Sequence, residues 1–307
     1  MRILVTGGAG FIGSHIVDRY IAEGHEVVVV DNLSSGKAEQ VNPQAKLYVM
    51  DICDPALAQV LETEKIECVN HQAAQANVRR SVADPVADGE INIIGSLNLL
   101  HHAIRCGVKH CIFASTGGAI YGEQETFPAE ETHPLNPVSP YGVAKLAVEK
   151  YLFCFQQIHG ISYTALRYAN VYGPRQDPHG EAGVVAIFTE RLLRNEPPVI
   201  NGDGEQTRDY VYIDDVVEAN VLALRHTLSG AFNVGTGIET SVNTLYRRLK
   251  ALIPTPVEAV HGPPKEGEQR RSLLSSRRLQ AQTGWAPRIS LEEGLAKTVA
   301  YFRQQHA

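Results

Sequence analysis

The 307-residue sequence predicts an α/β protein: a Rossmann-type doubly wound parallel sheet joined to a smaller C-terminal α/β lobe. Three observations predict it. Short β-branched runs alternate with helical patterns through the first half; a glycine cluster sits where the first run meets the first helix; and near residue 170 the alternation gives way to a proline-rich second part. In order, strands are expected at 3–6, 26–30, 46–50, 67–71, 110–114 and 162–166, and helices at 11–23, 55–62, 91–106 and from Tyr141. Strand, helix, strand is the βαβ unit of a parallel sheet. The boundary is therefore placed at 172, giving a nucleotide-binding domain at 1–172 and a second lobe at 173–307, with later segments free to return to the first sheet.

Lys and Arg number 28 against 34 Asp and Glu, a net charge of −6 that offers no electrostatic footprint for nucleic acid or an anionic membrane. Any phosphate must be met by local groups. The five cysteines are scattered, with no C-x-x-C, so neither a zinc site nor a disulfide framework is expected, no metal is assigned, and a reducing cytoplasm is the simpler setting. No run approaches the ~18 apolar residues that span a bilayer, and the start is too short for a signal segment, so a soluble, unprocessed chain is expected.

Gly7-Gly8-Ala9-Gly10-Phe11-Ile12-Gly13 carries both G-x-G-x-x-G and G-x-x-G-x-x-G between the first strand and the first helix. Glycines there let the backbone turn tightly and approach a pyrophosphate, whose charge meets the unpaired N–H groups and dipole of the helix start. The next strand ends in Asp31, eighteen residues beyond Gly13, where a carboxylate accepts from an adenosine ribose and repels a 2′-phosphate. NAD is expected over NADP. Asp51-Ile52 closes the third strand; it fits an adenine edge, and Asp51 fits equally a cap for the helix near Pro55.

Tyr141 and Lys145 open a helical run after Pro137 and Pro140 and share one face. Alone, Y-x-x-x-K describes many helices. Beside a nicotinamide site it becomes an acid–base pair, because a nearby ammonium stabilises a phenolate. Bringing a phenol from ~10 to ~7 takes about 4 kcal/mol of differential stabilisation, within reach of two cations in a dry cleft.

These residues resemble the extended short-chain dehydrogenase/reductase superfamily, and within it the NAD-dependent nucleotide-sugar epimerases and dehydratases, most nearly the UDP-glucose 4-epimerases. The resemblance runs end to end through Asp31-Asn32-Leu33-Ser34-Ser35-Gly36, His71-Gln72-Ala73-Ala74-Gln75, Asn92, Ser115-Thr116-Gly117-Gly118, Arg167-Tyr168-Ala169-Asn170 and Gly202-Asp203-Gly204 through Arg208-Asp209. It implies NAD held by Gly7, Gly10, Phe11, Ile12, Gly13, Asp31, Asn32, Ser34, Ser35, Gly36, Asp51, Ile52, Gln72, Ala73, Ala74, Gln75, Tyr141, Lys145 and Tyr168. It also implies inversion at C4 of a UDP-hexose through a transient 4-keto sugar, with Tyr141 moving the hydroxyl proton, and a homodimer built on the helices near residues 91 and 141. Asn92 is open to two readings, a relay group or a packing residue.

The sequence departs from the family at three points. Gly117 stands where bacterial epimerases place a hydroxyl beside the tyrosine, leaving Thr116 or Ser115 to supply it; Thr116 is the candidate. An Arg-Glu-Gly-Asp run appears as Lys265-Glu266-Gly267-Glu268, so the diphosphate falls to Arg208 with Lys265 or Arg271, while Asn170, Val184 and Val185 line the sugar and nucleotide pocket. Ser272 replaces a tyrosine that restricts sugar size, which leaves room for a 2-acetamido group. Gly117, Gly118 and Ala119 lack the acids of a 4,6-dehydratase. A UDP-glucuronate 4-epimerase or decarboxylase, a keto-sugar reductase and a non-catalytic NAD-binding sensor remain the alternatives.

Overall fold

The computed structural model describes residues 1–179, 183–264 and 269–306. Seven strands form one parallel sheet in the order Gly230–Val234, Ser162–Tyr168, His110–Thr116, Cys68–His71, Arg2–Thr6, Glu26–Asp31, Lys46–Val49. Both faces of this sheet are covered, which is why its strands read as near-continuous apolar runs such as Val27–Val30. One face packs on helices Phe11–Ala22 and Ile213–His226 through Ile16, Val17, Tyr20, Val216 and Val217. The other packs on Leu57–Thr63, Ser96–Arg105 and Pro140–His159 through Leu57, Leu61, Leu99, Leu100, Val148 and Leu152.

The strand order reverses its spatial progress between Arg2–Thr6 and Cys68–His71, so a crevice opens beyond their carboxyl ends. Gly7, Asp31, Gln72, Thr116 and Tyr168 all leave the sheet at that edge.

Residues 213–234 bring a helix and an edge strand back to the first sheet, after the chain has left it at Tyr168. The second lobe centres on Thr207–Tyr212, which pairs in parallel with Asn170–Tyr172 and Arg271–Ser272 and antiparallel with Glu239–Ser241. Its strands have two to six residues, too short to show periodicity.

The single helix expected over 91–106 is instead Pro85–Gly89, a π-helical turn Glu90–Gly95 and Ser96–Arg105. Two contacts account for the extra residue. Asn92 accepts from the backbone N–H of Gln75 and donates to its carbonyl, both at 2.9 Å. A methyl group on Gly95 would stand 2.9 Å from the side chains of Ile52 and Cys53. Such widened turns concentrate at functional sites. No described helix is long and apolar enough to cross a membrane.

Candidate active site

Gly7 has φ +69°, and a methyl group there would stand 2.7 Å from the Ala73 nitrogen; one on Gly13 would stand 2.1 Å from the Gly7 carbonyl oxygen. The loop is thus closed against the 71–75 segment in a backbone that only glycine permits. Helix Phe11–Ala22 begins at Gly10 with no side-chain cap and no acidic residue in its first turn. Its amide groups and positive end are left for an anion. A methyl group on Gly36 would stand 2.8 Å from the Ala9 carbonyl carbon, and the Lys37 N–H donates to the Ala9 carbonyl, folding the Ser34-Ser35-Gly36 turn over the glycine loop.

Asp31 is buried at the end of its strand and accepts from the N–H groups of Ala9, at 3.0 Å, and Leu33, at 2.8 Å. Leu33 pays for that second bond with a left-handed φ of 58°. Asn32 donates to Asp51 at 2.7 Å and accepts from the Ser34 N–H, while Asp51 also accepts from Cys53. Asp51 therefore braces the Asn32–Ser34 turn; the helix Leu57–Thr63 starts at Ala56 without a side-chain cap. Phe11, Ile12 and Ile52 lie beside these turns, Ile52 buried and the other two half-buried.

Beneath the crevice runs a buried chain of polar groups. Thr6 contacts His71 Nδ1 at 2.7 Å, His71 Nε2 contacts Ser96 at 2.9 Å, and the Ser96 hydroxyl donates to the Asn92 carbonyl. Burial, reinforced by Lys145, pushes His71 down to about 3. A second, uncharged network joins Tyr20, Asn70, Gln72, Tyr168 and Asn220. The Tyr168 hydroxyl is thereby committed to Asn220 and Gln72, at 2.8 and 3.3 Å. Ala73 and Ala74 are half-buried, and Gln75 is fixed through Asn92.

Ser139 caps helix Pro140–His159, so that Tyr141 and Lys145 stand on its first two turns facing the strand His110–Thr116. The Tyr141 N–H donates to Ser81 at 3.2 Å. Lys145 Nζ donates to the Ala114 carbonyl at 2.9 Å and lies 4.7 Å from the Phe113 ring centre and 5.8 Å from that of Tyr141. Burial lowers Lys145 to about 8, against a raising effect of Asp88, and burial with the Asp88 charge raises Tyr141 well above its ordinary value. The lysine is poised to change charge near neutrality. The tyrosine needs cations to ionise.

Ser115 donates at 2.6 Å to the buried Glu149, which holds Arg167 in a two-pronged ion pair at 3.0 and 2.6 Å. Arg167 also donates to Tyr121, and Tyr121 to Asn233. Glu149, which the sequence analysis did not single out, sits one further turn along from Tyr141 and Lys145, and that repeat of four could have pointed to it. Ser115 is thus tied under the site, while Thr116 ends the strand: a methyl group on Gly118 would be 4.0 Å from its hydroxyl and 3.7 Å from Asn170 Oδ1. Thr116 and Asn170 therefore flank one opening. On Gly117 a methyl group would stand 2.2 Å from buried Leu274, which explains the missing side chain.

Register separates the arginines. Ser272 pairs with Arg208 and Arg271 with Thr207, so Arg208 and Ser272 share a face and Arg271 lies on the other. There Arg271 meets Glu239 at 2.6 and 2.9 Å and stacks 3.9 Å from the Phe127 ring centre, and Thr207 donates to the same carboxylate. The Arg208 guanidinium donates to the Thr207 carbonyl. Val185 is buried in the core beneath helix Val184–Leu193, and Val184 is half-buried at its first position. Lys265 lies outside the described residues.

Residues 3–235 match the profile of the NAD dependent epimerase/dehydratase family. The chain belongs to that family. A UDP-glucose 4-epimerase of Mycolicibacterium smegmatis is 45% identical over 311 residues, covering 99% of both chains. Among solved structures, the UDP-glucose 4-epimerase of Thermotoga maritima with UDP-glucose is 54% identical with TM-score 0.98 over the whole of both chains. That of Thermus thermophilus in complex with NAD is 47% identical with TM-score 0.95 over 99% of each. The family's cofactor fits the crevice: the glycine positions form a cradle that any Cβ would fill, an uncapped helix start faces it, and a buried carboxylate closes its far end.

Proposed function

We propose that the chain is an NAD-dependent UDP-glucose 4-epimerase, interconverting UDP-galactose and UDP-glucose. The observation that carries this reading is Tyr141 beside buried Lys145, which the strand His110–Thr116 holds through the Ala114 carbonyl, in a chain that matches 4-epimerases along its full length. Gly7, Gly10, Gly13 and Asp31 hold the dinucleotide, with Asn32, Ser34, Ser35, Gly36, Asp51 and the 72–75 segment around it. NAD, when bound, supplies the acceptor and donor of hydride at C4. Tyr141 takes the proton of the 4-hydroxyl and returns it after the sugar has turned. Lys145 supplies the ammonium that stabilises the phenolate, and Thr116 hydrogen-bonds the same oxygen. Arg208 binds the diphosphate, for which a guanidinium fork is suited.

Small, buried Ser272 lies beside Arg208, so UDP-N-acetylhexosamines fit as well; Ser272→Tyr should depress their turnover relative to UDP-glucose. Val86, Ile94, Val143, Tyr151 and Ile158 leave apolar side chains in water on the helical segments 85–105 and 140–159, and a second copy of the chain is the partner proposed for them. Light scattering should give twice the chain mass. All five cysteines are unpaired, in keeping with a cytoplasmic setting. The function is tested by a proton NMR time course of the purified protein with UDP-galactose and no added cofactor. New anomeric signals of UDP-glucose are expected, slowed about 10²–10⁴-fold in Tyr141→Phe; an unchanged spectrum, also with NAD added, would refute the assignment.

A further inference from the structure

Asp88 is a buried carboxylate on a short helix packed against the one that carries Tyr141 and Lys145, and nothing in the chemistry described so far uses it. It is 2% exposed, on the short helix Pro85–Gly89. Its Oδ1 accepts from Gln75 Nε2 at 2.9 Å and from Asn92 Nδ2 at 2.8 Å. Its Oδ2 is sealed from solvent and has no partner among the described residues. Packed against it are Pro140–His159, bringing Tyr141 and Lys145; Val78–Ala83, bringing the exposed Arg79 and Arg80; and the π-helical turn with exposed Glu90. His71 is a further titratable group on this side, and it feels the Lys145 charge. Burial raises Tyr141 and lowers Lys145, and the Asp88 charge raises both.

An acceptor held by two neutral amides while its second oxygen stays unpaired is costly if its only role is to brace a turn. An amide side chain would brace Gln75 and Asn92 without burying a charge. We propose that Asp88 is a positioning residue, the buried counter-charge of the acid–base pair: its carboxylate keeps Lys145 in the ammonium form and sets the field in which Tyr141 ionises. The π-helical turn has a use in this scheme, because it presents Asn92 to join Gln75 on one oxygen of the carboxylate. The sign follows from electrostatics. A negative charge favours the lysine's charged form and disfavours the phenolate, so both groups titrate higher with Asp88 than without it.

The proposal rests on Tyr141 and Lys145 being the acid–base pair, but its test needs no sugar. The phenolate absorbance of the NAD-loaded protein, taken as the difference from Tyr141→Phe, is titrated in wild type and in Asp88→Asn. The Tyr141 transition should fall by about one pH unit, the size of one charge acting across roughly 12 Å at an effective dielectric near 20. Both limbs of the kcat/KM profile should move down with it, and Asp88→Glu should restore them in part. A phenolate transition that stays in place in Asp88→Asn would overturn the proposal, whatever sugar the enzyme accepts. A second measurement covers poor folding of that variant: Lys145→Met strands the carboxylate, so Lys145→Met with Asp88→Asn should melt higher than Lys145→Met alone. A lower melting temperature would overturn the counter-charge role.

Discussion

The proposed nucleotide half and the proposed sugar half of the site are built by opposite means. Around the glycine loop, recognition lies in the backbone: Gly7 and Gly13 allow contacts no side chain would survive, and Asp31 is locked by two N–H groups. Around Arg208 and Ser272, the proposed sugar side, it would lie in side chains that tertiary register brings together, on strands of six and two residues. Backbone recognition is rigid and fails completely when altered; side-chain recognition is graded and can be retuned.

The sharpest break is Gly13→Ala. Its methyl has no space beside the Gly7 carbonyl, so the purified variant should carry no NAD and show no turnover; retained cofactor by absorbance would contradict the backbone account. Next is the buried ion pair between helix Pro140–His159 and strand Ser162–Tyr168. Arg167→Met should cost about 3–5 kcal/mol in denaturant unfolding because Glu149 is left buried and uncompensated, and Arg167→Met with Glu149→Leu should recover much of that. On the graded side, Arg208→Leu should raise KM for the UDP-sugar about 10–100-fold with NAD binding unchanged. Arg271→Leu, on the opposite face and tied to Glu239, should do less.

A further effect, graded with pH, is acid sensitivity within the sheet. Burial holds His71 at about 3 and His110 at about 4 in the folded chain. Both lie below the ordinary value of 6.5, so the unfolded chain binds more protons below that pH. Stability should therefore fall as pH drops from 6.5 toward 4, by about 1.4 kcal/mol per unit for each such proton. A melting temperature flat over that range would show the two histidines are not buried neutral.

The same contrast explains what the sequence revealed. Strand ends, the glycine loop, Asp31 and the Tyr141–Lys145 face were legible because each depends on local conformation or helical spacing. The choice between Ser115 and Thr116 was not, since it depends on Glu149 taking Ser115 from the next helix. Nor was the opposition of Arg208 and Arg271, which two residues of pairing decide. The expected continuous helix at 91–106 failed because Asn92 and Gly95 answer to distant partners, Gln75 and Ile52. The return of 230–234 to the first sheet likewise has no local signature.

The central claim is that one proton-moving tyrosine and one tightly held NAD invert C4 without exchange with water. UDP-galactose carrying deuterium at C4, incubated with the purified protein in ordinary water, tests it most directly. The product UDP-glucose should keep the deuterium at C4. Loss of the label to solvent would show that the hydrogen leaves C4 as a proton, and would contradict the account.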